Sequence, residues 1–120
     1  MLINELLNIK YPIFQGAMAN IATPEFAAAV SNCGALGIIA TGAMDEHQTR
    51  DAIRKCKSLT DKPFGVNIML MQDNADEIAR LVCDEKVPVV TTGAGSPGKY
   101  IEMWKSHGIK VIPVVPSVAI

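Results

Sequence analysis

Tyr11-Pro12-Ile13-Phe14-Gln15-Gly16-Ala17-Met18-Ala19 reads as a short apolar strand that runs into a loop of small residues. The loop leads to Thr23-Pro24-Glu25, where Thr23 can cap a helix and Pro24 suits its first position. A strand, a small loop at its C-terminal end and a helix form the basic unit of an α/β protein. The rest of the chain repeats that unit, and its informative residues recur just after the strands.

Working outward, further strands are predicted at Leu36–Ala40, Phe64–Leu70, Val87–Thr92 and Lys110–Val115. The first predicted helix runs from Pro24 to Cys33 with Gly34 as its stop, and Phe26, Val30 and Cys33 share one face. Asp45 and Gln48 form a capping-box pair before a second helix, whose buried stripe is Ala52, Ile53, Cys56 and Leu59. Asn74 and Glu77 start a third helix with Ile78, Leu81 and Val82 inward. Ser96-Pro97 opens a fourth, with Ile101 and Trp104 inward and Gly108 at its end. Residues 4–7 read as a lead-in turn.

The predicted order is therefore βαβαβαβαβ. The strands are continuous apolar runs, as in parallel sheets buried on both faces. They start roughly every 25 residues, close to the minimal βαβ repeat. Two architectures fit. One is a doubly wound open sheet. The other is a (β/α)8 barrel, which needs eight units and roughly 250 residues. On the barrel reading, residues 1–120 are the N-terminal half of one domain, four βα units plus a fifth strand, with open edge strands.

Composition narrows the function classes. The 120 residues are 49% hydrophobic and carry a net charge of -1, enough for one modest domain and no basis for attracting nucleic acid or an anionic membrane. Cys33, Cys56 and Cys83 are widely spaced and match no zinc or redox pattern, so buried free thiols are expected. The N-terminus lacks a basic lead and a long apolar core, and the Val111–Ile120 run is too short to span a bilayer. A soluble, cytoplasmic protein is the expectation.

Gly93-Ala94-Gly95-Ser96-Pro97-Gly98-Lys99 matches both G-x-G-x-x-G and G-x-x-x-x-G-K. The chemistry fits neither well. Tyr100 stands where a phosphate loop needs Ser or Thr, and Pro97 removes a backbone donor. No acid ends the following strand, as dinucleotide binding requires. A nucleotide-binding module using Gly93–Lys99 remains the reading from another class. Asn67 is a polar side chain within an apolar strand, and a buried amide needs partners. It can serve the edge of a flat heterocycle, or it can be a core amide satisfied by neighbouring backbone. The Gln15–Ala19 loop has little bulk, so a planar ligand can lie against its backbone and Met18 can pack on a ring. His47 and His107 fall at helix ends, the carboxylates belong to caps and solvated faces, and no metal cluster stands out.

Taken together, the segments at 11–19, 34–39 and 62–70 resemble the nitronate monooxygenase superfamily of flavin barrels. Those at 88–100 and 111–118 are similar to its flavin-dependent enoyl-acyl-carrier-protein reductases, and the resemblance covers nearly the whole chain. It implies an FMN-bearing (β/α)8 barrel in which reduced nicotinamide, NADH or NADPH, delivers a hydride through the flavin to a trans-2-enoyl thioester carried by acyl carrier protein. It also implies a homo-oligomer. By position, Ala17, Met18 and Ala19 would contact the flavin ring and Asn67 would hydrogen-bond it. Gly42 and the Thr92-Gly93-Ala94 turn would border the same mouth. The family's catalytic histidine and phosphate-gripping loops have no counterpart in these residues, so no catalytic residue is expected here. The alternative within the same family is nitronate oxidation.

Overall fold

A computed structural model describes residues 1–118. The last two residues of the apolar C-terminal run, Ala119 and Ile120, lie outside the described residues. The elements are α1 (Ile3–Leu7), α2 (Pro24–Asn32), β1 (Gly37–Ala40), α3 (Glu46–Leu59), β2 (Phe64–Met69), α4 (Ala75–Asp84), β3 (Val89–Gly93), α5 (Ile101–Ser106) and β4 (Lys110–Pro113). The four strands are all parallel and lie in sequential order, β1-β2-β3-β4.

That order decides between the two architectures. A doubly wound sheet reverses its strand order at a switch point and covers both faces with helices. Here the order never reverses. The main apolar cluster joins residues of α2, α3, α4 and α5 to Ile39, Val66, Ile68 and Val90, all on one face of the sheet. The fold is the N-terminal portion of a (β/α)8 barrel, with an outer helix layer and an inner, concave strand face.

Register assigns the two faces. Ala40, Asn67, Thr91 and Ile112 form one transverse row, and Ile38, Gly65, Val89 and Lys110 form the row below it. Both rows point inward. A second buried cluster, Leu7, Leu36, Ile38 and Val89, covers the lower part of this face. The predicted lead-in turn is thus a short helix, α1, whose Leu7 closes the bottom of the barrel wall.

The first predicted strand, Pro12–Gln15, is reduced to one parallel bridge between Phe14 and Leu36. Leu36 N–H donates to Ile13 O at 2.9 Å, and Gln15 N–H donates to Leu36 O at 2.9 Å. On one side the ladder ends because Ile13 N–H turns back to Tyr11 O at 2.8 Å instead of reaching the neighbouring segment. On the other side the chain turns away at Gly16.

The α2 stripe also differs from the expected one. Ala27, Ala28 and Ser31 are buried, whereas Phe26 is 43% exposed and Cys33 is exposed at the helix end. The cause is close approach. A Cβ on Gly37 would lie 1.9 Å from the Ala27 carbonyl oxygen, so only small residues fit between this helix and the sheet. Ser31 Oγ accepts from Gly37 N–H at 3.0 Å and completes the seam. Cys56 and Cys83 are buried free thiols as expected, and burial pushes the Cys56 thiol up to about 11.

Of the later helices, α3 carries its predicted capping box: Gln48 N–H donates to Asp45 Oδ1 at 2.7 Å and Asp45 N–H to Gln48 Oε1 at 3.0 Å. Its predicted Leu59 is 43% exposed, and Thr49 is buried instead. Asn74 does not cap α4 through its side chain. Its Nδ2 donates to Met44 O at 2.9 Å, tying the loop after β2 to the loop after β1. The fourth helix begins at Ile101 rather than at Pro97, because Gly98-Lys99-Tyr100 form a turn closed by Tyr100 N–H to Pro97 O. Trp104 is wholly buried, as its sequence position suggests, and its Nε1 donates to Ala79 O at 3.0 Å. No helix among the described residues is long and apolar enough to cross a membrane.

Candidate functional site at the C-terminal rim

The inner face at the C-terminal ends of the strands holds the polar groups that sequence singled out. Asn67 lies in the upper inner row, half-buried. Thr91 Oγ1 donates to Asn67 Oδ1 at 2.7 Å, and Thr41 Oγ1 donates to the Asn67 carbonyl at 2.6 Å. The side-chain amide is therefore held through its oxygen by Thr91 of the neighbouring strand, while Thr41 fixes the backbone of the same residue. Among the described residues the amide Nδ2 reaches only the Met69 sulfur, at 3.8 Å. A sulfur is a weak acceptor. The amide thus presents an N–H donor to the rim with its oxygen already committed.

Residues without bulk surround this donor. Gly93 pairs with Met69 at the strand ends, and a Cβ placed on Gly93 would touch Met69 at 3.7 Å, one on Gly42 Met69 at 3.8 Å and Gln72 Oε1 at 3.9 Å, all ordinary contacts. The loop after the Phe14 bridge comes in from the side. Ala17 packs against the inner cluster, while Met18 is 46% exposed and Ala19 is exposed. Ala94 follows Gly93 with φ of 58° and faces solvent. A shelf edged by glycine and alanine, with one free amide donor, fits a planar heterocycle that offers an acceptor at its edge.

Thr92 is placed differently from its neighbours. It follows Val90 by two residues, so its side chain faces the helix layer, not the inner face. Its hydroxyl is buried with no partner among the described residues. Sequence reasoning missed Thr91, the threonine that does face inward. Only the β2–β3 register, which pairs Asn67 with Thr91, separates the two.

The glycine-rich turn does not form a phosphate loop. A phosphate loop places its lysine at the start of a helix and turns its amides on the anion. Here Lys99 lies in a turn, and its Nζ pairs with Asp76 Oδ1 of α4 at 3.0 Å. The Tyr100 hydroxyl donates to the same carboxylate. These bonds pin the turn after β3 to the first turn of α4. They also shift both groups. The hydrogen bond from Tyr100, then that from Lys99, hold Asp76 below its ordinary range. The bond to Asp76, with burial second, pushes the Tyr100 phenol up to about 12.

The Tyr100 contribution to stability is fully present below its ordinary value of 10.0 and is lost as pH rises toward about 12. The Asp76 contribution is present above the ordinary carboxylate range and is lost as pH falls through its lowered value. Ultraviolet titration is expected to show one tyrosine ionising near 12 that returns toward 10.0 in Asp76→Asn and vanishes in Tyr100→Phe. A titration curve unchanged by Asp76→Asn would show that the contact is not made.

Neither histidine reaches the rim. His47 is on α3 beside Asp51 at 3.4 Å, and His107 Nδ1 lies 2.8 Å from Met103 O at the end of α5. No group of metal-ligating side chains occurs among the described residues. Beside the shelf, an apolar groove of about 690 Å³ opens between the turn after β3 and the segment after β4, lined by Ala94, Pro97, Ile101, Pro113 and Val114.

The nitronate monooxygenase family profile matches residues 1–112. The chain belongs to the nitronate monooxygenase family. Within it, the chain is 35% identical over 113 residues to a (3aS,4S,5R,7aS)-5-hydroxy-7a-methyl-1-oxo-octahydro-1H-indene-4-carboxyl-CoA dehydrogenase of Rhodococcus jostii, covering 94% of this chain and 32% of that protein. It is 49% identical over 63 residues to a nitronate monooxygenase of Paraburkholderia phytofirmans, covering 52% of this chain and 17% of that protein. The structure of FabK from Thermotoga maritima superposes with a TM-score of 0.94 at 53% identity, covering 96% of this chain and 37% of that one. A nitroalkane oxidase of Streptomyces ansochromogenes shares the fold, with a TM-score of 0.88 at 23% identity over 96% of this chain and 42% of that one. These family members and neighbours are oxidoreductases, and the chain spans less than half the length of each.

Proposed function

We propose that the protein forms one wall of the flavin site of an NAD(P)H-dependent enoyl-acyl-carrier-protein reductase. The observation that carries this reading is the 53% identity to FabK, sustained over 96% of the chain. On this reading residues 1–120 form the N-terminal portion of a single flavin barrel. The cofactor is FMN. Bound there, it would supply hydride transfer from reduced nicotinamide to the β-carbon of a trans-2-enoyl thioester.

The roles of this chain's own residues follow from the rim. Asn67 Nδ2 donates to an acceptor at the flavin edge, with Thr91 holding the amide in that orientation. Ala17, Met18 and Ala19 line one side of the ring, while Gly42, Gly93 and Ala94 leave room beside it. Thr92 contributes its backbone, since its hydroxyl faces the helices. None of these residues is a proton donor or nucleophile, so the chemistry of the enoyl group falls to residues outside this wall. Acyl carrier protein as carrier and a homo-oligomeric state follow from the same resemblance.

Nitronate oxidation is the second reading, favoured by the family profile and by the 49% identity to a nitronate monooxygenase. Assays of the complete flavin-loaded protein, with the remainder of the barrel that holds the catalytic groups, separate the two; residues 1–120 alone are expected to be inactive. NAD(P)H-driven saturation of crotonyl thioesters is expected, with alkyl nitronates oxidised at least about tenfold less efficiently, a gap of about 1.4 kcal/mol in transition-state binding. The reverse ranking would replace the first reading with the second.

A further inference from the structure

The outer edge of β1 is finished in an unusual way. Backbone of the Phe14 segment pairs with Leu36 and then leaves the sheet at Gly16. The next rung is made by a side chain. Ile38 N–H donates to Gln15 Oε1 at 3.0 Å, and Gln15 Nε2 donates to Ile38 O at 3.2 Å. The same Nε2 also donates to Gly16 O at 2.6 Å. One rung further, Ala40 N–H donates to Ala22 O at 3.1 Å, where the chain returns. The carboxamide of Gln15 thus stands in for the peptide group that a continuing strand would have supplied.

This substitution has a consequence for the loop. Were residues 16–18 to continue the strand, their peptides would pair with β1 and could not turn over the inner face. With the Gln15 amide satisfying Ile38, the loop is free of the sheet from Gly16 to Ile21 and is anchored at both ends on the β1 edge. Ala17 can then pack on the inner cluster and Met18 can project outward. We infer that Gln15 is a positioning residue for the flavin: its side-chain amide holds the Gly16–Ala19 loop in the place where it meets the ring. This rests on the flavin reading above.

The two roles of the amide, acceptor and donor, make the inference testable by chemistry as well as by deletion. Gln15→Met keeps length and volume but removes both hydrogen bonds to Ile38. Gln15→Glu keeps the acceptor but has a donor only when protonated. Its carboxyl would face the carbonyls of Ile38 and Gly16, which disfavour ionisation and raise its pKa. FMN affinity of the purified protein, read by quenching of flavin fluorescence, is the measurement. It is taken well below each variant's melting temperature.

Gln15→Met is expected to bind FMN about tenfold more weakly than the unaltered protein, the effect of losing one to two modest hydrogen bonds. Gln15→Glu is expected to match that loss near pH ~8 and to recover most of it near pH ~5, relative to the unaltered protein at each pH. A purely structural role would lower the melting temperature and leave the affinity of the folded protein unchanged. Affinity of Gln15→Met within about twofold of the original would overturn the inference, as would a Gln15→Glu ratio that does not move with pH. Should Gln15→Met not fold, the pH series on Gln15→Glu decides alone. All variants are made in the complete protein, with the phosphate-binding part of the barrel present; if that unaltered protein takes up no FMN, the flavin reading itself is overturned, and this inference with it.

Discussion

Gly37→Ala is expected to destabilise the protein by about 3 kcal/mol or more, the upper end of what overpacking costs. The methyl group would sit 1.9 Å from the Ala27 carbonyl oxygen and 2.6 Å from its carbon. These are backbone atoms in the middle of α2, so no side-chain rotation relieves the contact. Nor can the helix simply back away. Ser31 Oγ is bonded to Gly37 N–H, and the seam of Ala27 and Ala28 would open a gap in the main core. Urea denaturation should show a lower midpoint with an unchanged slope. Gly16→Ala is the control. A Cβ there meets nothing within 4 Å and the backbone is not left-handed, so a change within about 0.5 kcal/mol is expected. Equal midpoints for the two variants would show that α2 does not lie so close to the sheet.

Loss of the Asn67 amide is expected to be the largest functional effect within this chain. On the flavin reading, Asn67→Leu takes the N–H donor away from the flavin acceptor, and the buried Thr91 hydroxyl loses its own acceptor. Stranding a buried polar group costs about 1–3 kcal/mol, so FMN affinity should fall roughly 10- to 100-fold. Asn67→Asp separates the flavin contact from the fold. A carboxylate still accepts from Thr91 but has no N–H to give, so flavin affinity should fall while the melting temperature changes little. Flavin bound equally well by Asn67→Asp would mean that the amide donor makes no contact with the cofactor.

The two substitutions also mark how far the sequence could be read. Asn67 was legible because an amide within Val66-Asn67-Ile68 breaks an apolar run and demands a partner. Its partner was not. Thr91 and Thr92 are equivalent in sequence, and a shift of one residue in strand register exchanges their faces. Gln15 was visible as part of the small-residue loop, yet nothing local says that its side chain replaces a strand peptide. Asp45 and Gln48 lie within one helical turn of each other, so their capping box is encoded locally and forms as the sequence predicts. The apparent Asn74 cap is not made because its oxygen, Oδ1, accepts instead from Gln72 Nε2 at 2.8 Å while its Nδ2 is drawn to Met44 O, 30 residues away.

By itself, then, the sequence determined the alternation of helix and strand, the parallel character of the sheet and the end of the strands where binding residues gather. Each of these is encoded over a few neighbouring residues, in apolar runs, caps and turn chemistry. Only the tertiary structure decided that the sheet is one wall of a barrel with its helices on a single face. It alone also decided that α2 turns its small residues inward, that the first strand stops at a bridge, and that Thr91 rather than Thr92 holds Asn67. The physical reason is common to all of them: strand order, register and the distance between layers arise from contacts between residues far apart in the chain, on which local propensity is silent.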